Sequence, residues 1–127
     1  MPLTLDVLPG PLAIARLDPG AAVPAWATAG VPASITRTTG ELSVVCPQEL
    51  VPAAVRQVGG YRALAVRGPL DFALTGIVSG LTTALAHAGV PVFVISTFDT
   101  DLVLVPGERL GDAVAALHEA GHRVAGR

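Results

Sequence analysis

The residues of this chain that could hold or transform a small molecule fall in a few short stretches. Asp71 precedes a run in which Leu74, Ile77, Val78, Leu81 and Leu85 recur three or four apart, the spacing of one helical face. The amides of Phe72 to Thr75 would then open a helix, where unbonded N–H groups and the macrodipole favour an anion such as an α-carboxylate. The segment Ser96-Thr97-Phe98-Asp99-Thr100-Asp101 offers the complementary chemistry: Asp99 or Asp101 for an ammonium, and Ser96, Thr97 and Thr100 for neutral hydrogen bonds. Plainer readings stand beside these. Asp71 can be a helix cap and nothing more, Asp99 and Asp101 can be turn residues bonding their own backbone, and Phe98 can be a core plug instead of a pocket wall.

His118-Glu119-Ala120-Gly121-His122 matches H-E-x-x-H, which on a continuous helix sets two imidazoles on one face to bind zinc. Here the helical face is Leu110, Val114 and Leu117, and Gly121 falls where a C-terminal glycine belongs. His122 is therefore expected at the start of a strand, with no metal bound. Ser79 lies mid-helix and lacks the G-x-S-x-G order, and the chain contains no lysine, so phosphate-loop and Schiff-base chemistry are absent. No catalytic residue and no cofactor is expected.

Composition narrows the class further. The chain has 127 residues, 51% of them hydrophobic and 14% charged, with a formal net charge of -2. Without a basic cluster and with few aromatic residues, it lacks the electrostatic and stacking equipment for nucleic acid. The apolar residues never run uninterrupted for a membrane-spanning length, and the first ten residues lack the pattern of a secretory signal, so a cytoplasmic protein with no membrane contact is expected. Cys46 is the one cysteine, near the end of an apolar strand, and reads as a core residue.

The elements that must position these residues follow from pattern. LTLDVL (3–8) and LAIARL (12–17) are strand-like runs around Pro9-Gly10-Pro11 and are expected to pair as a hairpin. A short helix is expected at Pro24 to Ala27, and a strand-turn-strand over 34–46. Leu50, Val51, Ala54, Val55 and Val58 predict a helix over 47–58 that stops at Gly59-Gly60. A strand from Tyr61, a helix over 72–88 ended by Gly89, a buried hairpin over 92–105 and a last helix with a short strand complete the chain. The order of elements repeats, which predicts two tandem β-α-β-β-α-β units over 1–62 and 63–127.

The run GPLDFALTGIVSGLTTALAHAGVPVFVISTFDTDLVLV, with SITRTTGELSVVCP before it, resembles the ACT domain family, in particular small bacterial proteins of two tandem ACT-like units related to the ACT modules of aspartate kinases and of the CASTOR arginine sensors. The resemblance implies a ferredoxin-like α/β (α+β) fold, with antiparallel sheets and helices packed on one face. It also implies a non-enzymatic regulatory module that binds an amino acid between ACT units, at the N-terminus of the first helix of the second unit. Carried over by position, the ligand-binding residues would be Gly68, Leu70, Asp71, Phe72, Ala73, Thr75 and Gly76 on the loop and first turn, facing Ser96, Thr97, Phe98, Asp99 and Asp101. A homodimer and a regulated enzyme partner are implied as well. The alternative is a structural or protein-interaction module whose ligand site is vestigial.

Overall fold

The computed structural model describes residues 2–68 and 76–126. In chain order the elements are β1 (Thr4–Val7), β2 (Leu12–Leu17), a 3-10 helix (Ala25–Thr28), β3 (Ser34–Arg37), β4 (Leu42–Pro47), a 3-10 turn (Gln48–Leu50) and β5 (Arg56–Val66). There follow α1 (Ile77–His87), β6 (Phe93–Ser96), β7 (Asp101–Pro106), a 3-10 turn (Gly107–Arg109), α2 (Leu110–Glu119) and β8 (Arg123–Ala125). The fold is mixed α+β and ferredoxin-like. The chain forms two compact units, Gly10–Tyr61, and Met1–Pro9 with Arg62–Arg127. β5 is long enough to supply strands to both.

In the unit built from Met1–Pro9 and Arg62–Arg127 the strand order is β8-β1-β5-β7-β6. β1 pairs antiparallel with β5, Leu5 opposite Val66, and parallel with β8, Leu5 opposite Val124. The pattern of every second residue then carries Leu5, Val7, Leu64, Val66, Val103 and Val105 onto one sheet face, where Leu81 and Leu85 of α1 and Ala113 and Leu117 of α2 close over them. Both helices stop at a left-handed glycine. Gly89 has φ 72° and Val90 N–H donates to Leu85 O at 3.0 Å; Gly121 has φ 94° and His122 N–H donates to Leu117 O at 2.9 Å. At its other end α1 opens at Ile77, with Gly76 (φ 77°) as N-cap and no side chain bonded to its first turn. The pattern predicted a start near residue 72 with Asp71 as cap; Asp71 lies outside the described residues.

The unit Gly10–Tyr61 has the order β3-β4-β2-β5. Ala15 pairs with Val44 and Val44 with Ile35, which puts Ala13, Ala15, Val44 and Cys46 on the face covered by Ala27 and Val51, with Trp26, Leu50 and Val55 packed beside them. Cys46 is fully buried, and that burial pushes its thiol above the ordinary range.

Two expectations are corrected in the chain's first half. The helix over 47–58 is a 3-10 turn, Gln48–Leu50, followed by extended chain. Its apolar spacing is helical, but Val51 precedes Pro52 and so avoids the α region: it sits at φ -81°, ψ 121°. Gly59 and Gly60 lie inside β5, not at a helix end, and Gly60 N–H donates to Gln48 Oε1 at 2.5 Å. The hairpin expected from residues 3–8 and 12–17 is also not formed among the described residues, because β1 takes β5 and β8 as partners and β2 takes β4 and β5. Pro9 and Pro11 flank Gly10 (φ 80°) without an N–H to contribute to a ladder there.

Candidate functional site

α1 is the element that gives the site its character. Gly76 adopts a positive φ that a residue with a Cβ resists, and from there the chain turns directly into the helix, Gly80 N–H donating to Gly76 O at 2.9 Å. The amides of Ile77, Val78 and Ser79 precede the first N–H that has an acceptor within the helix, so they face outward as donors with the positive end of the helix dipole behind them. No acidic side chain stands in that first turn.

Against this helix end lies a hollow of about 400 Å³, lined by Pro2, Leu3, Gly76, Ile77, Gly80, Ala120, Gly121 and His122. Glycines at 76 and 80 keep the helix side of it open; a Cβ at either would meet nothing within 4 Å. Among the described residues that line it, His122 is the one titratable side chain. Leu3 N–H donates to His122 Nδ1 at 3.1 Å, so Nδ1 acts as acceptor and Nε2 carries the proton of the neutral ring. Burial penalises the imidazolium and holds the pKa of His122 below its usual 6.5.

The residues expected to form the site are distributed as follows. Gly76 lines this hollow and Gly68 is exposed, just beyond the end of β5. Leu70, Asp71, Phe72, Ala73 and Thr75 lie outside the described residues. Ser96, Thr97, Phe98, Asp99 and Asp101 form the turn between β6 and β7 and the strand ends beside it. That turn is tightly built: Thr97 N–H donates to Thr100 O at 2.7 Å, and Thr100 N–H to Thr97 Oγ1 at 3.1 Å. Ser96 Oγ donates to Asp101 Oδ1 at 2.6 Å. Asp101 is buried to 9% exposure, so one of its carboxylate oxygens is committed within the hairpin, whereas Asp99 is exposed. Thr100 Oγ1 donates to Val66 O at 2.5 Å and so fixes the turn beside the end of β5 that leads to Gly68.

Leu3, Ile77, Gly80 and His122 were not among the expected site residues. For His122 a signal existed: a histidine immediately after the glycine that ends a helix must emerge at the helix terminus, beside whatever strand runs past it. His118 remains exposed in the last turn of α2, and the left-handed Gly121 turns His122 away from the helix axis, so the H-E-x-x-H order does not produce a shared helical face. Among the described residues no group of three or more His, Cys, Asp or Glu converges as a metal site, and no helix is long and apolar enough to cross a membrane.

Residues 58–119 match the family model of the ACT domain, and residues 10–54 match a second model, that of an N-terminal domain. Among solved structures, a protein of Agobacterium tumefaciens is similar at 39% identity and a TM-score of 0.94, covering 100% of this chain and 95% of its own. A Vibrio cholerae protein of unknown function, described as a possible transport protein, aligns with TM-score 0.76 at 19% identity over 93% of this chain and 89% of its own. The regulatory subunit of aspartate kinase from Thermus flavus aligns with TM-score 0.63 at 14% identity, over 95% and 97% respectively. A ferredoxin-like sheet with two helices on one face and the match over 58–119 lead to one assignment: that segment of the chain belongs to the ACT domain family.

Proposed function

We propose that this protein is a non-enzymatic regulatory module that binds a small amino acid at the start of α1. The observation that carries the reading is the hollow of about 400 Å³ at a helix N-terminus whose first amides have no acceptor within the helix, with glycines at 76 and 80, a volume suited to a ligand of this size. The amides of Ile77 to Ser79 receive the α-carboxylate, and the helix dipole adds to the attraction. Gly68, Leu70, Asp71, Phe72, Ala73, Thr75 and Gly76 form the ligand loop in this proposal, with Ser96, Thr97, Phe98, Asp99 and Asp101 supplying the far wall. Exposed Asp99 is better suited to an ammonium than Asp101, whose carboxylate already accepts from Ser96. Homodimerisation and the control of a partner enzyme belong to the same proposal; the likeness to a regulatory subunit of aspartate kinase supports them.

A thermal-shift screen of the twenty common amino acids tests the reading. A ligand at about 100 times its Kd stabilises the native state by about 2.7 kcal/mol, enough for a clear rise in Tm. One or a few amino acids are expected to give that rise. No shift with any of them at millimolar concentration overturns the proposal and favours a module acting through its surface alone.

A further inference from the structure

We infer that His122 is a pH-sensitive latch: its neutral imidazole holds Pro2 and Leu3 in place as one wall of the hollow at the start of α1, and its protonation releases them. The inference concerns the regulation of the site proposed above and rests on that reading for its functional meaning, but the latch itself stands on geometry.

Leu3 is the residue before β1, and Leu3 and Pro2 line the hollow together with His122. Two hydrogen bonds tie Leu3 to the segment that follows α2. Its N–H donates to His122 Nδ1 at 3.1 Å, and its carbonyl accepts from Arg123 N–H at 2.8 Å. The second is backbone pairing and is indifferent to pH. The first exists only while Nδ1 has a lone pair, because the imidazolium is a donor at both nitrogens and would set N–H against N–H. Protonation therefore removes one of the two ties and adds a donor-donor repulsion at the same place.

His122 itself is fixed from the other side. Gly121 at φ 94° and the bond from His122 N–H to Leu117 O hold its backbone, so the base of the latch stays in place if the two part. The ionisable groups around it offer little compensation to an imidazolium, and after burial the positive chain N-terminus is the second influence that disfavours it. α2 brings His118 and Glu119, both exposed in its last turn. β8 brings Arg123, and β1 brings Asp6, whose carboxylate is already bonded to Arg67. Among the described residues α1 has His87 alone, at its opposite end. The sign follows: because the folded pKa lies below the ordinary 6.5, the unfolded or opened state binds the proton more readily, and the latch loses stability as pH falls through that value towards the folded pKa. At neutral pH the wall is held; under acid conditions it loosens.

The test reads the latch without any ligand. Residue-resolved amide hydrogen exchange of the full chain, expressed as protection relative to an unstructured peptide, is followed at Leu3 from about pH 7.5 to about pH 5, with Leu5 in the middle of β1 as reference. Leu3 protection is expected to fall roughly two- to tenfold, the worth of one hydrogen bond, while Leu5 keeps its own. His122→Gln retains an acceptor that does not titrate and should hold Leu3 equally at both pH values. His122→Ala should leave Leu3 weakly protected at both. Wild-type protection independent of pH, a glutamine variant that tracks the wild type, or Leu3 and Leu5 failing together would each overturn the latch. None of these outcomes depends on the amino-acid screen, so failure of the latch and failure of the binding proposal are separate results.

Discussion

The two units of this protein both set a hairpin beside a central strand, β3-β4-β2 in one and β6-β7-β5 in the other, and differ in the extra strand β1 of the second and in what covers the sheet. Over β1, β5 and β7 lie two α-helices whose leucines, Leu81, Leu85 and Leu117, reach down to a floor of Leu and Val. Over β2 and β4 lie a 3-10 helix of four residues, Ala25–Thr28, and the shorter turn at Gln48–Leu50. There the floor is Ala13, Ala15, Val44 and Cys46. Small side chains below and short turns above go together: Trp26, Leu50 and Val55 fill this smaller core from the turns and the chain after them, where the other unit uses the leucines of two helices. Pro24 at the cap of the first turn, and Pro47 and Pro52 around the second, remove the N–H groups that a longer helix would need. The lesson is functional as well. A 3-10 turn of three or four residues presents no comparable macrodipole, so a helix start like that of α1, on which the binding proposal rests, has no equivalent in Gly10–Tyr61.

That contrast can be broken by experiment, most forcefully in the cores. Leu85 is fully buried, and Leu85→Ala should cost about 3 kcal/mol through lost burial and the cavity left behind. Val44→Ala, also at a fully buried position but beneath the shallower cover, should cost about 2 kcal/mol. Denaturant unfolding measures both, and a Val44 variant as damaging as the Leu85 variant would remove the distinction between the cores. At the start of α1 the two glycines should respond in opposite directions. Gly76→Ala forces a Cβ into a left-handed cap at φ 77° and should cost about 1 to 2 kcal/mol, whereas Gly80→Ala, in the helix with open space around it, should gain about 0.5 to 1 kcal/mol. Equal losses at both would show that the opening of the helix is no special place. The smallest effect belongs to Asp6, whose carboxylate the bonded Arg67 guanidinium holds below its ordinary 3.8 on an exposed surface. Any stability the pair contributes is present above that ordinary value and lost as pH falls through the folded one, so Asp6→Asn should flatten the acid limb of the stability profile and leave neutral-pH unfolding nearly unchanged.

Much of this architecture can be read from residues. The leucines of α1, Gly89 and Gly121 as stops, and the continuous apolar runs of β6 and β7 each obey a local rule, and tertiary context agrees with that rule. The chain's first half is harder because its rules conflict. The spacing of Leu50, Val51, Ala54, Val55 and Val58 is helical, yet Pro52 vetoes the helix through the residue before it, and a backbone veto outweighs side-chain periodicity. Gly59-Gly60 looks like punctuation and is strand, since Gln48 folds back to bond Gly60. At the site, the cavity wall contributed by Leu3 and His122 joins residues 119 positions apart, and a contact of that span leaves no local trace.

The position of β1 has a consequence for the order in which the molecule can be made. Translated before either of its neighbours, this strand can pair on one side once Arg62 to Val66 have followed and on the other only after Arg123 to Ala125, so its place between them is closed by the last strand made. For the same reason residues 62–127 taken by themselves are not a free-standing module: they would carry an open slot between β5 and β8, ready to accept a strand from a neighbouring molecule.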